Sequence, residues 1–117
     1  MKYLCLIYDE EKKLETMPAS QMGALMGECR AFSDAIRHSG NYVASHQLQP
    51  SQNATTVRIR NGRVSATDGP FAETKEQLGG YFLIDARDLN EAIQIAARIP
   101  AARIGSIEVR PVREQNA

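Results

Sequence analysis

The order of hydrophobic patterns along the chain restricts its fold more than any other feature. Two segments carry apolar residues at three- and four-residue steps, as amphipathic helices do, and each lies between short apolar runs typical of strands. A hairpin pattern separates the two strand–helix–strand units. This order predicts an α+β fold, a ferredoxin-like sandwich with an added β-hairpin. The length of 117 residues fits a single domain over residues 1–117.

The first predicted helix follows the apolar strand Tyr3–Tyr8 and a charged segment, Asp9–Lys13, which we expect to be a loop. Pro18 suits the first turn of this helix, and Gly40 suits the position just past its end. The apolar stripe of the helix consists of Met22, Leu25, Met26, Cys29, Phe32 and Ile36. A second strand is predicted at Asn41–Gln47.

The Asn61-Gly62 pair predicts a tight hairpin, because a type I′ turn needs positive φ at both central residues. The register of the flanking strands should pair Ile59 with Val64 on one face. The other face would carry three arginines, either as a solvated surface or as an anion site: Arg58, Arg60 and Arg63.

A second helix is predicted after the apolar strand Gly80–Asp85. Asp88 and Glu91 form a capping pair at its start, and Pro100 stops it. Its buried side should include Leu89, Ala92, Ile93 and Ala96. The closing strand is predicted at Ser106–Val112, which alternates apolar and charged residues.

The charge balance limits the classes of partner. The chain has 14 Lys+Arg against 14 Asp+Glu, 6% aromatic residues and no Trp, so we expect neither nucleic acid nor a membrane as partner. No apolar run approaches the ~18 residues of a membrane span, and the first residues lack a signal-peptide pattern, which favours a cytoplasmic protein. Cys5 and Cys29 have no metal-type spacing. We expect both to be reduced, and we expect neither a metal nor a cofactor.

The predicted sheet has one face without helices. Right-handed crossovers place both helices on the same face. The strands Tyr3–Tyr8 and Tyr81–Ile84 are nevertheless apolar on both faces, so a monomer would expose a large apolar patch. We therefore expect a homodimer in which the two helix-free sheet faces pack together.

The segment Asp68–Gly79 is the first candidate for a functional site, because it is long, irregular and rich in charge. Asp68 either forms the turn at Asp-Gly-Pro or acts as a general base. His46, at the end of the second strand, is the other candidate for proton transfer, although such a histidine is commonly a surface residue. A catalytic pair of Asp68 and His46 would require them to meet in space.

Five further residues are candidates for binding a small molecule beside this pair. Phe71 and Tyr81 would line a pocket between the sheet and the Asp68–Gly79 loop, and Lys75 or Arg58 would hold an anionic group. Glu73 is a fifth binding candidate. The simpler interpretation is that Glu73 belongs to a solvated, charged turn and binds nothing.

Residues 68–81, DGPFAETKEQLGGY, resemble the motif of the DGPF family, part of the YCII-related superfamily. The resemblance extends to the opening strand, to Leu48–Pro50 and to Ile107–Val112. It implies a dimeric α+β barrel, and it implies a genomic link of many members with extracytoplasmic-function sigma factors. Enzymes of the superfamily, among them a dehydrochlorinase of chlorinated aromatics, are thought to use a His–Asp pair with the histidine on the first helix. Here that helix has Cys29 near the expected place and no histidine before His38.

Three functions are compatible with this sequence. The first is a cofactor-independent lyase or isomerase that uses Asp68, helped by His46, to move a proton. The second is a non-catalytic dimeric module that binds a ligand or a partner such as a transcription factor. The third gives the Asp68–Gly79 motif a purely structural role.

Overall fold

The computed structural model describes residues 1–114. Its strands are β1 (Lys2–Asp9), β2 (Tyr42–Gln47), β3 (Thr55–Arg60), β4 (Arg63–Asp68), β5 (Gln77–Asp85) and β6 (Ser106–Pro111). Its α-helices are α1 (Glu11–Glu15), α2 (Ala19–His38) and α3 (Leu89–Ala97), and short 3-10 turns cover Ser51–Asn53 and Pro100–Arg103.

Four strands form an antiparallel sheet in the order β2–β5–β1–β6, and β3 and β4 form a separate hairpin. Helix α2 connects β1 to β2, and α3 connects β5 to β6, so each helix crosses over one intervening strand. This topology confirms the ferredoxin-like α+β fold with an added hairpin.

The core lies between the helices and one face of the sheet. The side chains of Tyr3, Cys5 and Ile84 project from the sheet into this layer and meet Phe32 and Ile36 of α2. Burial raises the pKa of the Cys5 thiol to about 11, so Cys5 is a neutral, apolar core residue near pH 7. Both described cysteines are free thiols.

The ends of α2 follow from its flanking residues. Pro18 directly precedes the helix with an extended ψ, rather than lying in the first turn. At the other end Gly40 takes φ +82°, a conformation that other residues adopt at a cost, and this ends the helix.

The segment Asp9–Lys13 contains the start of α1, so the expectation of a loop there is wrong. Contacts with distant residues position this short helix. The Glu11 carboxylate accepts hydrogen bonds from the Ser51 backbone N (2.7 Å) and from Ser51 Oγ (2.9 Å). The Glu11 backbone N donates to Gln77 Oε1 at 3.1 Å. The local sequence pattern contains no signal for such contacts.

Helix α3 is capped as predicted, because Asp88 Oδ1 accepts a hydrogen bond from the Glu91 backbone N at 2.9 Å. Its buried face was predicted only in part. Ala92 and Ala96 are buried, but Leu89 and Ile93 are 49% and 50% exposed, and Ile95 is buried instead. The helix buries the stripe at 92, 95 and 96, whose two alanines allow close packing on the sheet.

The hairpin has the predicted register, with Ile59 opposite Val64 and a turn in which Asn61 and Gly62 take φ +53° and +74°. Its apolar face is not buried within the chain: Ile59 is 62% exposed and Val64 is 71% exposed. The hairpin therefore projects from the sheet as an arm.

The helix-free face of the sheet is also apolar. The register pairs Leu4 with Leu83 and Leu6 with Tyr81 between neighbouring strands, and all four residues alternate with those of the core. They are half-buried. No helix within residues 1–114 is both long and apolar enough to cross a membrane.

Candidate active site

A cavity of about 410 Å³ lies between α2 and the helix-bearing face of the sheet. We call it the α2 cavity. Most of its lining is apolar and includes Ile7, Leu14, Met22, Leu25, Phe32 and Phe82. Its volume is within the range of pockets that bind small organic molecules.

Asp9 brings a carboxylate to this cavity from the end of β1. Burial raises the pKa of the Asp9 carboxyl above its usual value, and the negative charges of Glu11 and Glu76 raise it further. No hydrogen-bond donor of residues 1–114 is bound to this carboxylate. Asp9 is therefore a half-buried carboxylate whose negative charge no hydrogen-bond donor or ion-pair partner of residues 1–114 compensates.

Two glycines make room for Asp9. A Cβ at Gly79 would lie 3.1 Å from Asp9 Oδ1. A Cβ at Gly105 would lie 2.1 Å from the Tyr8 carbonyl oxygen and 3.2 Å from the Asp9 Cα. A side chain at Gly79 would push the carboxylate, and one at Gly105 cannot be accommodated without moving β1.

The rim of the cavity also carries polar side chains. Cys29 lies on α2 at the border of the cavity, and burial raises the pKa of its thiol, an effect that the nearby Arg30 and Arg103 partly oppose. Ser33 and Ser45 are half-buried at the same border. Residues 1–114 contain no group of three His, Cys, Asp or Glu side chains arranged to hold a metal ion.

A second cavity, of about 660 Å³, lies between the sheet and the loop of residues 69–76; we call it the loop cavity. Of the two residues expected to line a pocket beside this loop, Phe71 borders this cavity and Tyr81 does not. Its other lining residues are uncharged and include Tyr8, Leu48, Pro50, Pro70 and Leu78. It therefore offers apolar contact without an acid or a base.

Asp68 lies at the exposed end of β4, opposite Thr55, and borders neither cavity. Within residues 1–114 its carboxylate accepts no hydrogen bond and forms no ion pair. The neighbouring backbone is held by other groups: Gly69 N donates to Ala54 O at 2.7 Å, and Thr56 Oγ1 donates to Gly69 O at 2.9 Å. These two hydrogen bonds hold the turn, and the Asp68 carboxylate takes no part in it.

The structure brings His46 together with Tyr81 rather than with Asp68. His46 Nδ1 and the Tyr81 hydroxyl are 2.7 Å apart. Both residues border the α2 cavity, but the register places their side chains beside Leu6 on the helix-free face. No hydrogen bond joins His46 and Asp68 in the described part of the chain.

The other predicted binding residues are separated from one another. The Arg58 guanidinium lies 5.9 Å from the centre of the Phe71 ring, which is 79% exposed. Lys75 Nζ is 3.5 Å from Glu10 Oε1. Glu73 is exposed on the loop. The assignments of these residues to a ligand remain predictions.

Asp9 was missed as a functional candidate because it opens a run of charged residues, where one more carboxylate looks unremarkable. Two signals could have found it: its place directly after an apolar strand, and the Gly79-Gly80 pair in a strand that pairs with β1. Within the DGPF-like motif, Gly79, Gly80 and Tyr81 border the α2 cavity, and Asp68 does not.

Three comparisons with known proteins place the chain among relatives. Residues 1–116 match the YCII-related domain. An uncharacterised protein of Rhizobium meliloti (strain 1021) is 35% identical over 114 residues, which cover 96% of this chain and 92% of that protein.

Among solved structures, the fold is similar to that of 5-chloro-2-hydroxyhydroquinone dehydrochlorinase from Burkholderia phenoliruptrix, in complex with 2,5-dihydroxybenzoquinone. The TM-score is 0.60 at 10% identity, over 98% of this chain and 96% of the other. At that identity the likeness concerns the fold alone. The match over nearly its whole length shows that this chain belongs to the YCII-related domain family.

Proposed function

We propose that the protein is a cofactor-independent small-molecule enzyme of the lyase or isomerase type, with its reaction site in the α2 cavity. One observation carries the proposal: the Asp9 carboxyl, with a raised pKa, borders a largely apolar cavity of about 410 Å³. A raised pKa makes a carboxylate a stronger base, and partial burial reduces the number of water molecules that compete for the proton.

The reaction class follows from what such a carboxylate can do. Asp9 would accept a proton from a carbon atom of the substrate, and the electrons of that C–H bond would form a C=C bond. In a lyase the neighbouring carbon loses its leaving group, together with the bonding electrons, as this C=C bond forms. In an isomerase the neighbouring carbon is a carbonyl carbon whose π electrons move to its oxygen, and the resulting enolate takes the proton back at a different carbon as a carbonyl forms again. A dehydrochlorinase with the same fold is a precedent for the first outcome.

Asp68 with His46 is the alternative site of proton transfer. Asp68 is exposed within one chain, so this alternative needs a second surface that encloses the carboxylate. A second copy of the chain would have to supply that surface. In a homodimer formed through the helix-free sheet faces, His46 and Tyr81 would lie in the interface. We infer that the chain belongs to the DGPF group of its family, whose motif residues 68–81 resemble.

The test compares Asp9→Asn, Asp68→Asn and the wild type on a panel of β-halogenated and enolisable carbonyl compounds and chlorinated hydroquinones. Halide release and exchange of carbon-bound hydrogen with deuterium from the solvent report the two reaction types. We expect Asp9→Asn to lose roughly 100-fold or more in rate, since general bases contribute at least that much. Asp68→Asn should retain the wild-type rate. The opposite ranking would move the reaction to Asp68.

A binding module is the second candidate, favoured by the exposed apolar arm and the uncharged loop cavity. In this case compounds from the panel would raise the melting temperature of the wild type without being converted. Its partner would be a protein such as a transcription factor, a class in keeping with the genomic link to extracytoplasmic-function sigma factors that the DGPF resemblance implies.

A further inference from the structure

Arg30 is the one Arg or Lys side chain of residues 1–114 that borders the α2 cavity. It is exposed, and a Cβ at Gly27 would lie 3.9 Å from its Nη2 atom, so the guanidinium lies against the preceding turn of α2. No carboxylate of residues 1–114 lies within ion-pair distance of it. Its positive charge is therefore available at the cavity.

The direction of Arg30 follows from its helix face. Arg30 and Arg37 are seven residues apart and share one face of α2. The Arg37 guanidinium lies 4.2 Å from the centre of the Tyr42 ring, which shows that this face is turned towards β2. From β2, Ser45 and Gln47 also border the cavity. Arg30, Ser45 and Gln47 thus give the β2 side of the cavity three side chains that can form hydrogen bonds.

The Asp9 end of the cavity has the opposite charge. Glu11 and Glu76 lie close enough to Asp9 for their negative charges to raise its pKa. The nearby Lys75 binds Glu10 at 3.5 Å. An anionic group is therefore repelled from Asp9 and attracted to Arg30. A molecule with a single anionic end is favoured in the orientation that places this end at Arg30.

We propose that the α2 cavity binds small organic acids, with the carboxylate held by Arg30 at the β2 side and an apolar body of about one ring turned towards Asp9. The cavity lining supplies the apolar contacts, and its volume exceeds that of such a body. This assignment rests on the proposal that the α2 cavity is the functional site. It replaces Lys75 and Arg58 with Arg30 as the group that recognises an anion.

The experiment uses two probes with the same body, 3-phenylpropanoate and 3-phenylpropan-1-ol. Binding is followed by NMR chemical shifts of the uniformly ¹⁵N-labelled full-length protein, so that the shifted residues locate the probe. We expect the wild type to bind the carboxylate about fivefold more tightly than the alcohol, as for a solvent-exposed ion pair. Arg30→Gln should remove this preference and leave the affinity for the alcohol unchanged. Arg37→Gln, which removes the same charge from the same helix face, should keep it.

Three results would overturn the proposal: equal affinity of the wild type for both probes, a preference that persists in Arg30→Gln, or no shift at residues of the cavity for either probe. Asp9→Asn separates this proposal from the proposed reaction. It should bind 3-phenylpropanoate at least as tightly as the wild type, because it removes a negative charge. Charge-selective binding together with unchanged turnover in Asp9→Asn would refute the role of Asp9 as base and leave the assignment of Arg30 intact.

Discussion

At the scale of single residues, Asp9 and Asp68 show why position in the fold decides what a carboxylate can do. Asp68 opens the DGPF-like motif, yet it is exposed, and its carboxylate forms no hydrogen bond or ion pair within residues 1–114. Asp9 lies in an ordinary charged run, yet β1 and Gly79 bring it to a cavity. The sequence could identify the motif but not the site, because the approach of Asp9 to Gly79 depends on strand pairing seventy residues away.

Asp9→Asn should make the protein more stable at neutral pH. A carboxyl with a raised pKa contributes stability that is fully present below its unfolded-state pKa and is lost as pH rises through the folded-state value. Asparagine cannot ionise, so the variant avoids that loss. We expect its melting temperature at pH 7 to exceed that of the wild type by roughly 1–4 °C.

Thermal unfolding from pH 3 to pH 8 checks this prediction. The difference between Asp9→Asn and the wild type should shrink as pH falls below about 4, the usual range for Asp. Asp68→Asn is the matched control and should follow the wild type within about 1 °C, because an exposed carboxylate without partners contributes little. A lower melting temperature of Asp9→Asn at pH 7 would contradict the account.

At the scale of elements, the sequence predicted what short-range patterns determine. The hairpin register follows from Asn61-Gly62, and the start of α3 follows from Asp88. Helix α1 and the exposed side of α3 were not predicted, because both depend on distant contacts. Helix α1 is important for the site, since its Leu14 lines the α2 cavity.

Glu11→Ala should loosen α1. The change leaves the Ser51 backbone N and hydroxyl without the acceptor that binds both. We expect the free energy of unfolding to fall by about 1 kcal/mol, together with faster hydrogen exchange in residues 11–15. Glu15→Ala, at an exposed position of the same helix, should change it by less than about 0.5 kcal/mol. Equal effects of the two substitutions would show that the Glu11 contacts do not hold the helix.

At the scale of the whole molecule, the chain is flat and extended. Its principal extents are 48 × 47 × 18 Å and its radius of gyration is 16.3 Å, against about 13 Å for a compact domain of this size. Two features contribute to this shape: only one face of the sheet is covered by helices, and the β3–β4 arm projects from the sheet. We propose that a second copy covers that face, as the sequence led us to expect.

Leu6→Glu should dissociate the homodimer, because it places a charge in the centre of the helix-free face. Analytical ultracentrifugation should find a dimer for the wild type and a monomer for this variant. Leu89→Glu is the control: Leu89 is an exposed apolar residue on α3, outside the proposed interface. It should remain dimeric. A monomeric wild type, or dissociation by both substitutions, would contradict the proposed interface.

The proposed reaction needs the Asp9 carboxyl to be a base with a raised pKa, and measuring that pKa tests the proposal most directly. A ¹³C NMR titration of the side-chain carboxyl carbons follows each aspartate separately. We predict that Asp9 titrates above the usual range for Asp, because burial and the negative charges of Glu11 and Glu76 raise its pKa. A pKa for Asp9 at or below the usual value of about 3.9 would contradict it.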